Sequence, residues 1–181
     1  MSVQQITLLA AAAVLMFWAV GAYNRLMKLR NGIAVTWAKV DEALRARGVA
    51  AQALRAALQA PLAAESGALE TWQAAVAEAT RATSTLGARP VVLAHAAAWV
   101  AAEASQAAAA SRVFALLEQH AELRAQDAVA KPAQAWHEAS QRLGFARQLF
   151  NETAAPYNAA IATFPTRLLV GMFRFEAAGL I

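Results

Sequence analysis

The groups able to do chemistry in this chain are three histidines, twelve acidic side chains and scattered hydroxyls. Their spacing is what an active site would have to explain. His95, His120 and His137 stand apart, and none belongs to an HExxH run or another zinc spacing. His137-Glu138 has no second histidine four residues on. His120 lies between Glu118 and Glu122, a trio that on one helix reads as a solvated face rather than a metal site. Ser and Thr occur without a His/Asp partner pattern, and there is no phosphate-cradling glycine loop or nucleophile elbow. The absence of cysteine excludes disulfides, thiolate metal sites and thiol catalysis. Asn151-Glu152-Thr153 has the form of a glycosylation sequon, but it falls within a helical stretch. Glu103 occupies an interior-type helix position, and Arg47 interrupts an apolar stripe. Buried charges need partners, so these two are expected to form a structural ion pair. The expectation is a protein that is not an enzyme, with no catalytic residues, cofactor or metal.

The elements carrying these residues are helical. Hydrophobic residues make up 59% of the chain and aromatics only 8%, and roughly three residues in ten are alanine, far above ordinary usage. Alanine is the best helix former, and the abundant Leu, Arg, Gln and Glu follow it closely. The net charge of +4 is spread singly along the chain, mostly as Arg. With no dense basic tract or interleaved aromatics, it does not point to nucleic acid.

Residues Ile6 to Ala22 form an uncharged apolar run. That length is near the lower limit for crossing a hydrocarbon core of about 30 Å. Trp18 and Tyr23 lie toward its C-terminal end, where amphipathic rings favour the interface. Val20-Gly21-Ala22 could serve as a signal-peptide cleavage site, yet Met1 to Gln5 lacks the positive charge with which signal peptides begin. Arg25, Lys28, Arg30 and Lys39 follow the run instead. The reading is a retained single-pass anchor in a bacterial inner membrane with the following domain in the cytoplasm. The basic collar of Arg25, Lys28 and Arg30 would attract anionic lipid headgroups.

Beyond the anchor, apolar residues recur at helical spacing. Leu26, Ile33 and Val40 form one row, and Trp37, Leu44, Ala51 and Leu58 a second, to about Ala60. Pro61 and Glu65-Ser66-Gly67 break the pattern. A second helix is predicted over 68–86 with Leu69, Trp72, Val76 and Ala79 inward. After Gly87 to Pro90, a third is predicted over 91–124, with Leu93, Val100, Ala107 and Phe114 in one row. Lys131-Pro132 is read as the start of the fourth, proline being tolerated in a first turn. There Trp136, Leu143, Phe150, Tyr157 and Phe164 repeat every seventh residue. The expected class is all-α: an N-terminal transmembrane helix (1–23), an antiparallel four-helix bundle of long helices (24–165), and an amphipathic membrane-proximal tail (166–181). That tail, with Arg167 and Arg174 beside Leu168, Leu169, Val170, Met172, Phe173 and Phe175, is suited either to lie in the interface or to pack on the bundle base.

Two stretches resemble the LemA family of bacterial membrane-anchored helical proteins. The first is Tyr23-Asn24-Arg25-Leu26-Met27-Lys28-Leu29-Arg30-Asn31, followed by Trp37 and Asp41. The second runs Phe145-Ala146-Arg147-Gln148-Leu149-Phe150-Asn151, then Tyr157-Asn158, Ile161 and Phe164-Pro165. Phe114 to Glu118 is similar to a further element in the third helix. The resemblance implies an anchored bundle with no enzymatic activity generally assigned. A departure falls at Arg45 to Leu54, where the family's acidic residue and proline are missing, and Pro156 is expected to bend the fourth helix. Up-down topology brings Tyr23-Asn24 and Tyr157-Asn158 to the same end. The expectation is a polar clamp between helices, with a recognition surface for lipid or a partner as the alternative. Function is expected to be that of an interaction scaffold with unidentified protein partners. The alternative is a lipid-binding module using the basic collar and the apolar tail.

Overall fold

The computed structural model describes residues 2–181. The described residues build six α-helices: α1 (Val3–Leu58), α2 (Ser66–Ala88), α3 (Leu93–Gln119), α4 (Ala121–Arg124), α5 (Asp127–Ala162) and α6 (Arg167–Phe173). A single 3-10 turn, Ala63–Glu65, precedes α2, and no strand occurs among the described residues. Ser2 caps α1 reciprocally with Gln5. At 1.5 Å per residue the 56 residues of α1 extend about 84 Å without a break. The apolar run is its first third, exposed except for the half-buried Trp18, Ala19 and Ala22, and among the described residues α1 is the one helix long and apolar enough to cross a membrane.

The remainder of α1 joins α2, α3 and α5 in an antiparallel four-helix bundle. Its direction is set by contacts: Gly32 approaches Thr153 while Trp37 meets Phe150. Trp99 of α3 bonds Thr83 of α2, and Phe114 stacks near Trp136 of α5. Leu26, Ile33 and Val40 are fully buried, with Trp37, Ala51 and Leu58 beside them, as the heptad rows require. Leu69, Trp72 and Ala79 of α2 also face inward.

Several expectations are corrected. The inward face of α3 is Ala96, Trp99, Ala102, Glu103, Gln106, Ala109, Ala110, Val113 and Leu117. The row Leu93, Val100 and Ala107 is solvent-facing. In so alanine-rich a helix the sparse large residues are a poor guide, because small side chains can line the interface. The third helix ends at Gln119 rather than Arg124, and His120 leaves helical geometry before the four-residue α4. The last bundle helix starts at Asp127, a turn before the expected proline. Pro132 and Pro156 therefore lie within α5, which continues through both. Pro156 and Glu152 are both exposed, so water can satisfy the carbonyl the proline leaves unbonded.

The core has two halves. Leu26, Trp37, Trp99, Phe150 and Tyr157 belong to the half nearer the apolar run, which also takes in Phe175, Ala178 and Ile181. Leu54, Leu58, Leu62, Trp72, Val113 and Leu117 belong to the far half. Between them lies a polar layer. Arg47 Nη2 donates to both carboxylate oxygens of Glu103 (2.7 Å each) and to Gln106 Oε1 (2.8 Å), all three residues buried. The ion pair expected from the sequence is present, with Gln106 as a third member one helical turn on.

Candidate functional site

The polar side chains singled out in the sequence converge near the C-terminal end of α5, but their partner is not another helix. After Arg174, which adopts a left-handed conformation (φ 52°), residues 175–181 run extended along the bundle. Tyr157 Oη donates to the Glu176 carbonyl (2.8 Å). Asn158 grips Ala178 at two points: Nδ2 donates to its carbonyl (2.9 Å), and Oδ1 accepts from its N–H (2.8 Å). Asn151 does the same to Ile181 (2.7 and 2.9 Å).

The match is one of pitch. Seven helical residues rise about 10.5 Å, and three extended residues cover about 10 Å. Two asparagines one heptad apart therefore meet every third residue of a non-helical segment running antiparallel to α5. Each amide offers a donor and an acceptor, so it replaces the neighbouring strand that Ala178 and Ile181 lack. Phe175, Ala178 and Ile181 face the core while Glu176, Ala177 and Leu180 face solvent. Gly179 is required by close approach. A Cβ there would overlap the Ala96 methyl and stand 3.1 Å from Leu93 Cα. Burial raises the Tyr157 phenol above its ordinary value, against the opposing effect of the Arg30 guanidinium.

The clamp between the two Tyr-Asn pairs is thus corrected. Asn24 is exposed, and the bonds of Asn158 go to the tail instead. Tyr23 is half-buried and meets the tail through rings, with Phe173 at 4.9 Å and Phe175 at 6.0 Å. Leu29 is half-buried, while Arg25, Lys28, Arg30 and Asn31 are exposed on α1. Trp37 belongs to the core, edge-on to Trp99 and Phe150. Arg147 lies over the Trp99 ring (5.3 Å). Asp41 pairs with Arg45 on the surface of α1, away from the clamp. Phe164, expected as the last inward residue of its row, is exposed because α5 ends at Ala162. Pro165 is half-buried beside it.

His95 and His120 are half-buried and His137 is exposed against Phe114. Among the described residues no group of three or more His, Asp or Glu gathers to hold a metal. The sequence reading missed the receiving role of residues 175–181. The spacing of Asn151 and Asn158, each just after a buried aromatic, was its one visible sign.

The fold and this end of it define a class: an all-α bundle continuous with one long apolar N-terminal helix, its C-terminal segment tied to the last bundle helix by asparagine. The LemA family model matches residues 36–180, most of the chain, and the protein belongs to the LemA family. The match begins after Tyr23 to Asn31 and takes in Asn151, Tyr157, Asn158 and the tail they hold. No curated protein matches the chain.

Proposed function

We propose that this protein is a non-catalytic interaction scaffold mounted on the bacterial inner membrane, with its bundle on the cytoplasmic side. The mount is α1 itself. With no linker between the apolar run and the bundle, a partner bound to the bundle is held at a set height and orientation. The basic residues after the run, Arg25, Lys28 and Arg30, favour the cytoplasmic side.

The observation that carries the scaffold reading is Phe145. It projects from α5 with 75% of its surface exposed. It borders a groove of about 490 Å³ formed by Lys39, Glu42 and Ala46 of α1 with Arg142 and Leu149 of α5. An exposed aromatic beside an arginine, in a groove between two rigid helices, has the composition of a protein-binding hot spot.

The test is photocrosslinking in intact membranes, with the reactive group at position 145 and a control at the exposed Ser111. A protein captured at 145, absent at 111 and lost with Arg142→Glu supports the reading. Identical products at both positions count against it.

A further inference from the structure

The surface beneath the bundle is apolar where nothing in the chain covers it. Phe164 is 76% exposed, Leu168 63% and Met172 74%, with Phe173 about half exposed. They are not scattered. Positions 164, 168 and 172 are four apart, so Leu168 and Met172 share the outer stripe of α6 and Phe164 precedes it. Leu169 and Val170, on the other side, pack into the core. So short a segment would gain little by leaving Phe164, Leu168, Met172 and half of Phe173 open to water.

Its height along the molecule is set independently. Phe173 packs on Tyr23, and Tyr23 directly follows the apolar run of α1. The exposed stripe therefore lies where α1 would leave a bilayer. α6 is also held at both ends. One end follows α5, and the other leads into the segment that Tyr157, Asn158 and Asn151 tie to α5 by five hydrogen bonds. Around the stripe the exposed charges are mainly basic: Arg167 and Arg174 on the tail, Arg25 and Lys28 on α1, against one acidic side chain, Glu176, just past the helix. From Thr153 to Ile181 the sequence has no other acidic residue.

We infer that α6 is a second membrane contact. Its outer stripe, Leu168 and Met172, with Phe164 just before it, enters the interfacial zone of the leaflet from which α1 emerges, and Phe173, packed on Tyr23, borders it. Arg167, Arg174 and Arg25 meet anionic headgroups there. Continuity with the apolar run and the sign of the surrounding charge favour a lipid surface as the occupant over another protein. The consequence is mechanical. One spanning helix leaves a bundle free to rotate and tilt about its axis. A second contact beside it presents one side of the bundle consistently. The asparagine clamp then acts as the strut that keeps α6 pressed down.

The inference rests on the membrane-anchored reading above, so its test separates the two. Because the chain has no cysteine, single labels are unambiguous. The full-length protein, carrying an environment-sensitive fluorophore on Met172→Cys, is placed in vesicles of phosphatidylcholine and phosphatidylglycerol. Leu15→Cys reports on the anchor, and Ser111→Cys on the far half of the bundle. Lipids spin-labelled deep in the acyl chain serve as quenchers for Leu15, and lipids spin-labelled near the headgroup for Met172 and Ser111. The expected result is a blue-shifted Met172 label that loses most of its emission to these lipids, with the Ser111 label unaffected. A quenched Leu15 label beside an unquenched Met172 label would overturn the inference and leave the anchor standing. Loss of quenching at both positions would overturn both. A Met172 label that is blue-shifted but unquenched would mean protein covers the stripe, and would equally overturn the inference.

Discussion

Removing the Glu103 carboxylate should expose how much the polar layer between the two core halves controls. The Arg47 and Glu103 side chains retain only 10% and 7% of their exposure. Two of the three hydrogen bonds on Arg47 Nη2 go to that carboxylate. In Glu103→Ala the guanidinium keeps the Gln106 amide and loses its counter-charge. Leaving one member of a buried pair unpaired costs about 3–5 kcal/mol. Arg47 also borders a cleft of about 530 Å³ lined by Asp41, Gln52 and Ser84, through which water can reach the freed charge. The lower end is therefore expected, about 3 kcal/mol, equivalent to roughly 6–12 °C in Tm for a domain of this size. The double variant Arg47→Met with Glu103→Leu puts apolar side chains of similar length into the gap and removes both charges. It should unfold near the parent, or above it by about 1–4 kcal/mol. The assay is thermal and denaturant unfolding of the full chain in detergent, followed by helical circular dichroism, for Glu103→Ala, for the singles Arg47→Met and Glu103→Leu, and for the double. A Glu103→Ala loss within about 1 kcal/mol of the parent, or a double variant no more stable than the sum of the singles, would refute the reasoning.

Two further outcomes follow from the clamp. Gly179→Ala drives a methyl into Ala96 and Leu93, and should cost about 1–3 kcal/mol. Because the tail can lift away, the loss should appear first as protease cleavage within 175–181, and an uncleaved variant would contradict the close packing. Tyr157 carries a pH dependence. Its folded-state value is raised above the ordinary 10.0, so the stability it contributes is complete below that pH and is lost as pH rises through the raised value. Tyr157→Phe should flatten this alkaline fall in a pH series of unfolding midpoints, and an unchanged slope would show that another group is responsible.

Composition and periodicity alone determine the helical class, the apolar run, most of the inward positions of α1 and α2, and on α5 Leu143, Phe150 and Tyr157 of the eight that are buried. The reason is physical: large apolar residues at heptad spacing have no other face to occupy. Arg47 and Glu103 were legible as a pair because a charge on an apolar stripe must find its counter-charge within the same core. The sequence is silent where the signal is small or long-range. On α3 alanine both lines the interface and covers the surface, so only Trp99, Val113 and Leu117 mark the true face, and packing against Leu86 and Trp72 decides it. His120 ends α3 without a glycine or proline to announce it. The tail shows the limit most clearly. Asn151 and Asn158 identify themselves as unusual, yet a helix-borne amide has no preferred partner until an extended segment passes at the right pitch. That segment lies twenty to thirty residues onward, and its Phe175, Ala178, Gly179 and Ile181 have no pattern of their own. Their match to α5 exists only once α1, α3 and α5 form the groove. The same closure buries Leu169, leaves Leu168 and Met172 outside, and so decides which face of α6 is bare.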